Sequence, residues 1–193
     1  EVVIGGILQH IEQAGIHSGD SACSLPPYNL EKRLIEEIYK MIKSIALEIK
    51  AIGLINVQLA LYENTLYLLE VNPRASRTIP FVSKCIGNSL AQIGAKCMSG
   101  ISLEKQGFTK EIIPEYFSVK EAILPFEKFQ GVDPILGPEM KSTGEVMGIG
   151  KSFAEAYAKA QLGAGKKISS EGCVFLSVRN SDQVFVAELA KEF

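Results

Sequence analysis

The residue types best suited to chemistry stand together in one short segment, Leu69–Arg77, whose sequence is LEVNPRASR. Glu70 and Asn72 are two residues apart, so on a strand both side chains project from the same face. Carboxylate and amide oxygens are ligands that Mg²⁺ accepts from proteins, while it keeps other positions for phosphate oxygens. Arg74 and Arg77 follow in a short turn, and guanidinium groups make bidentate contacts with phosphate. The spacing therefore indicates a metal and phosphate site, although a strand end with solvated arginines would have the same spacing.

A second polar segment, Gly15–Ser21, has the sequence GIHSGDS. Its glycines allow close approach of the backbone to a ligand, and its histidine, serines and aspartate offer hydrogen-bonding groups to a ribose or phosphate. Neither G-x-x-x-x-G-K-[ST] nor G-x-G-x-x-G occurs in the chain, so neither familiar nucleotide-binding loop applies. A tight polar turn with His17 half-buried is the alternative on these residues alone. His10 and Glu12 precede the segment with the same parity, which an ordinary exposed strand face also explains.

A β-hairpin is expected to position the acidic residue of the first segment. The sequence predicts strands over 54–62 and 66–71, joined by a three-residue loop at 63–65. This loop would pair Tyr62 with Leu66 and therefore Gln58 with Glu70, side by side on one face. A two-residue loop would shift the register and separate the two side chains.

The other elements follow from apolar spacing and from Gly, Pro and capping residues. The surest is an amphipathic helix over 30–51, with Asn29 as its N-cap and Gly53 at its end. The remaining predictions are a strand at 2–9, a loop at 14–28, two short helices within 79–100 broken at Gly87-Asn88, a helical turn at 102–106, a strand at 115–126, a loop at 127–142, a strand at 143–149, a helix at 152–162 capped by Ser152 and Glu155, a linker at 164–172, a strand at 173–178 and a helix from Ser181 to Phe193.

The composition limits the class of protein. At ~100–200 residues per domain, 193 residues predict one domain, or one plus part of another. The net charge of −2 gives no reason to bind nucleic acid or an anionic membrane surface, and no apolar window approaches a membrane span, so neither partner is predicted. Four widely spaced cysteines without a C-x-x-C pair predict no zinc cassette and indicate a reducing, cytoplasmic location. The start at Glu1, inside an apolar run, predicts a piece of a larger protein.

Long runs of the sequence closely resemble the large subunit of carbamoyl-phosphate synthase. The matching runs are Gly5-Gly6, His10–Ser24, Asn56–Gln58, Glu70–Arg77, Gly131–Pro134, Leu136–Met140 and Ser142–Gly148. The resemblance covers essentially the whole chain. The Ser-Ala-Cys-Ser run after Gly-Asp is similar to the second, carbamate-phosphorylating half of that family rather than to the bicarbonate-phosphorylating half.

The resemblance implies an α+β, ATP-grasp fold, in which the nucleotide lies between two lobes. Residues 1–163 would be the C-terminal lobe, a mixed or antiparallel sheet with helices, and the helical segment after it. Residues 164–172 would be a linker, and 173–193 the first βα unit of a methylglyoxal-synthase-like regulatory domain. The implied reaction is the phosphorylation of carbamate by ATP to give carbamoyl phosphate, for pyrimidine and arginine synthesis. The implied protein partners are the rest of the large subunit and a glutamine amidotransferase small subunit.

The resemblance also implies which residues act in catalysis and nucleotide binding. Gln58 and Glu70 would bind one divalent ion, Mg²⁺ or Mn²⁺, and Glu70 and Asn72 a second. The residues matched to the nucleotide site are Gly15, Ile16, His17 and Ser18, together with Gln58 and Glu70. Arg77 and Arg74 would hold the transferred phosphoryl group or the carbamate.

Two further groups of residues match other sites of the family. His10, Glu12 and Ser21 correspond to a potassium site near the nucleotide. Glu12, Asp20 and Glu121 correspond to effector-binding positions in ornithine-responsive bacterial members. Further basic residues and much of the adenine pocket lie upstream of Glu1 in the family, so this chain alone is expected to be inactive.

The alternative function is a regulatory and interaction module that couples effector binding to the catalytic halves and the glutaminase subunit. Metal-dependent nucleotide binding that is lost on Glu70→Ala would favour the enzyme. Ornithine binding that depends on Glu12 or Glu121, without nucleotide binding, would favour the module. A biotin-dependent carboxylase shares the grasp fold, but its family is not matched by the HSGDSACS segment.

Overall fold

The computed structural model describes residues 1–128, 131–166, 169 and 171–193. In chain order its elements are β1 (Gln9–His10), β2 (Cys23–Leu25), α1 (Lys32–Glu48), β3 (Asn56–Tyr62), β4 (Thr65–Asn72), α2 (Thr78–Ile86), α3 (Leu90–Met98), β5 (Phe117–Ile123), a 3₁₀ turn (Phe126–Lys128), β6 (Gly144–Gly150), α4 (Phe153–Gly163), a second 3₁₀ turn (Asn180–Phe185) and α5 (Val186–Glu192). No helix in this part of the chain is long and apolar enough to cross a membrane. The predicted α+β class is confirmed.

The strands form two separate antiparallel sheets within the described residues. Four strands pair in the order β1-β2-β5-β6, and β3 and β4 form a two-stranded hairpin. The strands predicted at 115–126 and 143–149 are confirmed as β5 and β6 with small changes of bounds. β5 therefore lies inside the larger sheet, and every residue from Ser118 to Ala122 is buried.

The hairpin has a shorter loop than predicted but keeps the predicted pairing near the candidate site. Tyr62 pairs with Thr65, so the loop has two residues, and Glu63 and Asn64 adopt left-handed φ values of 48° and 59°. Turns of this handedness match the twist of the two strands that they join. A β-bulge between Gln58 and Leu59 then shifts the register by one residue, so that Gln58 pairs with Glu70. The three-residue loop was wrong, and the Gln58–Glu70 pair is confirmed.

Helix α1 is confirmed, but its predicted ends were wrong. It begins three residues after Asn29, and its N-cap is Glu31, which makes no capping hydrogen bond with its side chain. Asn29 is not the cap because it lies two residues before the Glu31 cap position, and its side chain accepts a hydrogen bond from the Gln9 amide. After α1, Lys50 takes a left-handed φ of 52°, so the helix ends before Gly53.

The main core lies where α2 and α3 pack beside β2. The two helices are separated at Gly87, as predicted, because Gly87 has a left-handed φ of 69°. The buried residues of this core are Cys23, Leu25, Phe81, Val82, Cys85, Ile86, Leu90 and Phe108. Hydrogen-bonded turns follow α3, where a helical turn was predicted at 102–106.

Helix α4 packs very closely on β6. A Cβ atom at Gly148 would lie 2.1 Å from the Ala156 carbonyl oxygen, and one at Gly150 would lie 2.6 Å from the Ala156 nitrogen. The predicted cap is confirmed, since the Ser152 side chain accepts a hydrogen bond from the Glu155 backbone N–H at 3.2 Å. Glycine on the strand and alanine on the helix thus allow direct backbone contact.

Two predicted strands are absent from the described structure. Of the strand predicted at 2–9, only Gln9 lies in a strand, because residues 2–8 have no hydrogen-bonded strand beside them. Residues 173–178 are likewise irregular, and Phe175 is 91% exposed. Ser181 does not cap a helix, since it begins no α-helix and its hydroxyl donates to Asp182. Residues 129 and 130 of the predicted loop and 167, 168 and 170 of the predicted linker lie outside the described part.

Candidate functional site

A single large cleft brings most of the predicted site residues together. Its volume is about 1210 Å³, and its walls come from the N-terminal segment, the β3–β4 hairpin, the start of α2, Lys120 and residues 140–145. The predicted site residues that line it are His10, Glu12, Gly15, Ile16, His17, Ser18, Gln58, Glu70, Asn72, Arg74 and Arg77. The sequence segments 10–18 and 58–77, which are far apart in the chain, therefore face one space.

Three polar side chains converge at the end of the hairpin. The Gln58 amide donates to Glu70 Oε1 at 2.5 Å, and the Asn72 amide donates to the same oxygen at 2.9 Å. The bulge in β4 sets this arrangement, because it returns Glu70 to the position opposite Gln58. Rotation of either amide by 180° would present its oxygen instead of its nitrogen. One carboxylate and two amides can thus offer three oxygens to one small region.

This donor set fits a hard cation. Among the described residues, no three His, Cys, Asp or Glu side chains lie close enough to hold a metal by themselves. A cation at Glu70 would therefore take one carboxylate and two amide oxygens from the protein. Mg²⁺ accepts so few protein ligands when phosphate oxygens and water complete its shell. Glu70 is exposed at the cleft, which leaves room for such a ligand.

The two predicted arginines stand next to this trio. Both are exposed and both line the cleft. Arg74 donates from Nη1 to the Ala75 carbonyl oxygen at 3.0 Å, and Arg77 contacts the sulfur of Met140. Arg77 immediately precedes α2, where the helix dipole adds to its positive charge. These positions suit contact with an anion held in the cleft.

The polar turn of residues 15–19 also lines the cleft. Gly15 has φ 103°, and the His17 backbone N–H donates to the Gly137 carbonyl oxygen at 2.8 Å. His17 Nδ1 accepts from the Gly19 N–H at 3.0 Å. Residues 137–142 therefore pack on this turn and fix its shape.

Asp20 anchors the loop of residues 137–142 with its carboxylate. It is 2% exposed, and its carboxylate accepts from the backbone N–H groups of Lys141 and Ser142 at 2.8 and 2.9 Å. Burial opposes its ionisation, but these hydrogen bonds outweigh that cost and hold the pKa of Asp20 below its usual value. Ser21 is also buried, and its hydroxyl donates to the His17 carbonyl oxygen at 3.3 Å. Neither side chain lines the cleft.

His10 and Glu12 are partly buried at the cleft. Burial, and then the positive charge of Lys120, lower the pKa of His10. Burial, together with the negative charge of Glu121, raises the pKa of Glu12, although its hydrogen bond from the Ala22 N–H at 2.7 Å acts in the opposite direction. The potassium site predicted for His10, Glu12 and Ser21 stays a prediction.

The three predicted effector residues have different surroundings. Glu12 lines the cleft, whereas Asp20 is engaged by the loop. Glu121 is 4% exposed and accepts from the Gln161 amide at 2.7 Å and from Lys166 at 3.2 Å. Two of the three carboxylates thus connect elements of the chain itself, and the effector role stays a prediction.

Lys120 is a charged residue of the cleft that was not predicted from the sequence. Lys120 lines the cleft and is 2% exposed, and its ammonium donates to the Ser18 carbonyl oxygen at 3.1 Å. The only signal in the sequence is the Lys-Glu pair inside an otherwise apolar strand. Lysines are almost never fully buried without a partner, so burial could not be assumed from that pattern.

The chain is similar in fold to known nucleotide-dependent enzymes. It has a TM-score of 0.59 to an N5-carboxyaminoimidazole ribonucleotide synthetase solved with ADP, at 16% identity, over 81% of this chain and 43% of that one. It has a TM-score of 0.54 to the biotin carboxylase domain of a single-chain bacterial carboxylase, at 14% identity, over 68% of this chain and 36% of that one. These likenesses show that the fold is of the ATP-grasp class.

Sequence comparison gives the family. Residues 2–106 match the model described as carbamoyl-phosphate synthase L chain, ATP binding domain. The chain is 62% identical to the carbamoyl phosphate synthase large chains of Pseudomonas aeruginosa and Pseudomonas putida, over 98% and 100% of its length, and 59% identical to that of Neisseria meningitidis serogroup A over 100%. The chain belongs to the carbamoyl-phosphate synthase large-chain family. It spans 18% of the length of these relatives.

Proposed function

We propose that this chain is the metal- and phosphate-binding lobe of an ATP-grasp unit that phosphorylates carbamate to carbamoyl phosphate. The observation that carries this proposal is the convergence of Gln58, Glu70 and Asn72 at one cleft. Family membership supports the nucleotide, and the polar turn of residues 15–18 lines the same cleft as the trio.

Phosphoryl transfer requires positioning and neutralisation of charge more than covalent help from the protein. Gln58, Glu70 and Asn72 would hold Mg²⁺ or Mn²⁺, as one or two ions, which would neutralise phosphate charge when bound. Arg77 and Arg74 would orient the transferred group, because their guanidinium groups can pair with two oxygens at once. His10, Glu12 and Ser21 would hold K⁺ beside the nucleotide.

The whole protein would contain further parts. The proposed protein partners are the remaining part of the large subunit and a glutamine amidotransferase small subunit. We assign residues 1–163 to the lobe and the segment after it, 164–172 to a linker and 173–193 to the start of a methylglyoxal-synthase-like regulatory domain. The proposed setting is a cytoplasmic ligase that responds to effectors and serves pyrimidine and arginine synthesis.

Substitution of Glu70 tests the proposal. In the complete large chain that carries this segment, Glu70→Ala should lower carbamate-dependent ATP use by at least about a hundredfold. The substitution removes the carboxylate that would hold the cation, and phosphate charge would then no longer be neutralised. Steady-state ADP release with carbamate supplied would measure this, and circular dichroism would show that the variant stays folded.

Glu36→Ala is the matched control, since it removes the same charge from the exposed face of α1. Its ADP release should equal that of the unmodified enzyme. Appreciable activity in Glu70→Ala would remove the carboxylate from its central role. Ornithine binding through Glu12 or Glu121, without any metal-dependent nucleotide binding, would favour a regulatory module instead.

A further inference from the structure

Lys120 is a buried cation whose contacts with the protein are unusually few. Its residue is 2% exposed, and no carboxylate oxygen of the described residues lies within 4.0 Å of its ammonium. The ammonium donates to the carbonyl oxygens of Ser18 and Gly19, at 3.1 and 3.5 Å. A lysine ammonium has three N–H donors, so these two contacts leave its capacity partly unused.

Burial of an ammonium is costly unless opposite charge compensates it. Here the compensation comes from two carbonyl dipoles and, beyond 4.0 Å, from the Glu12 carboxylate, whose pKa the Lys120 charge acts to lower. Because Lys120 also lines the cleft, an anionic ligand there would place further negative charge near the ammonium.

The strand that carries Lys120 is well suited to fix the polar turn. Lys120 pairs with Cys23 of β2 on one side and with Met147 of β6 on the other. Its side chain therefore ties the carbonyl groups of Ser18 and Gly19 to an interior strand of the four-stranded sheet. Residues 15–18 of the same turn line the cleft.

We propose that Lys120 is a positioning residue for the nucleotide, which holds the turn of residues 15–19 in place and contributes positive charge toward the polyphosphate. This inference rests on the proposed function of the cleft and adds a residue to it. Lys120 acts through the turn and through its charge, and it takes no part in bond making.

The test uses Lys120→Met and Lys120→Arg in the complete large chain that carries this segment. Loss of hydrogen bonds from a charged group should raise the dissociation constant of Mg·ADP by about tenfold or more in Lys120→Met. Titration calorimetry would measure this constant, and KM for ATP should rise in parallel while kcat changes less. Lys120→Arg should recover most of the affinity, because it restores the charge and the donors.

Hydrogen exchange gives a readout that does not depend on turnover. The backbone N–H of Asp20 donates to the His17 carbonyl oxygen at 2.9 Å inside the turn. This amide should exchange faster in Lys120→Met than in the unmodified chain. Unchanged exchange would contradict the role of Lys120 in holding the turn.

The matched control is Lys159→Met. Lys159 also donates to a backbone carbonyl, that of Ile149 at 2.9 Å, but it lies on the exposed side of α4 away from the cleft. Its loss should leave the dissociation constant of Mg·ADP within about twofold of the unmodified value, because a surface ion pair contributes little.

An unchanged dissociation constant in Lys120→Met, or an equal loss in Lys120→Arg, would overturn the inference. Should Lys120→Met fail to fold, Lys120→Gln keeps a neutral donor of similar shape and is judged by the same criterion. The proposed function fails separately, if Glu70→Ala retains metal-dependent ATP turnover.

Discussion

Asp20 shows how one buried carboxylate can shape the wall of a cleft. Both of its oxygens accept backbone N–H groups from the loop of residues 137–142, and the neighbouring Ser142 hydroxyl donates to the Gly19 carbonyl oxygen at 3.1 Å. The loop in turn accepts from the backbone of His17. The shape of the polar turn therefore depends on an ionised Asp20.

The lowered pKa of Asp20 predicts a dependence of stability on pH. The folded state favours the ionised carboxylate of Asp20. The contribution of this carboxylate to the free energy of unfolding is therefore complete above the usual pKa of 3.8, and it is lost as the pH falls through the lower pKa of the folded state. At neutral pH, Asp20→Asn should lower the free energy of unfolding by about 1–3 kcal/mol, because the new amide N–H groups face backbone donors. The difference from the unmodified chain should shrink below pH 3.8, as measured by urea unfolding between pH 3 and 7.

Asp182→Asn is the control for this titration, since Asp182 pairs with Arg179 on an exposed segment. It should cost far less than Asp20→Asn at neutral pH. A difference for Asp20→Asn that stays constant down to pH 3 would show that the ionised carboxylate does not stabilise the loop.

The sequence identified the polar residues of the site better than it identified their environment. Glu70, Gln58 and Asn72 were predicted to lie together from a three-residue loop, and they do lie together, but through a two-residue loop and a bulge that the sequence did not predict. Lys120 was missed because its burial depends on the strands on both sides of β5, which come from distant parts of the chain. Long-range packing of this kind leaves no local pattern.

At the scale of the element, the contact between β6 and α4 makes a sharp prediction. Gly148→Ala should lower the free energy of unfolding by about 1–3 kcal/mol, because its methyl group would lie 2.1 Å from the Ala156 carbonyl oxygen and the helix must move. Urea unfolding would measure the loss. Gly137→Ala is the matched control, since a Cβ there meets nothing within 4 Å. Equal stability of the two variants would contradict the close packing.

Elements were predicted well where their own residues decide them and poorly where partners decide them. The apolar spacing of α1 and the Ser152 cap of α4 are local, and both are confirmed. The strands at 2–9 and 173–178 failed because a strand needs a neighbour, which composition cannot supply. Asn29 is not the cap of α1 because the helix begins at Lys32, and the Asn29 side chain is bonded instead to Gln9, twenty residues earlier.

At the scale of the whole molecule, the chain is expected to be inactive by itself. It spans 18% of the length of its relatives, so most of the length of such a protein lies outside these 193 residues. The isolated chain should show no carbamoyl phosphate synthesis above background in a coupled assay of ADP release. Its affinity for ATP should be weak, as measured by titration calorimetry.

The complete carbamoyl phosphate synthase large chain of Pseudomonas aeruginosa is a suitable reference for that assay. Robust turnover by the 193-residue chain would contradict the need for a second lobe. Apolar side chains on the hairpin agree with that need, since Leu68 and Leu69 are 48% and 55% exposed. Burial of such side chains against another part of the protein would stabilise the assembly.

In a regular hairpin the loop length decides which residues pair along the whole ladder, whereas the bulge here gives the cleft end a register of its own. Leu69 is the extra residue between the pairs Leu59–Leu68 and Gln58–Glu70, so the tip and the cleft end follow different registers. One residue inserted at the tip would leave every strand pair in place as long as the bulge is kept, with Glu70 still opposite Gln58. The loop at the tip can therefore change in length during evolution without moving the Glu70 carboxylate away from the cleft end of the hairpin.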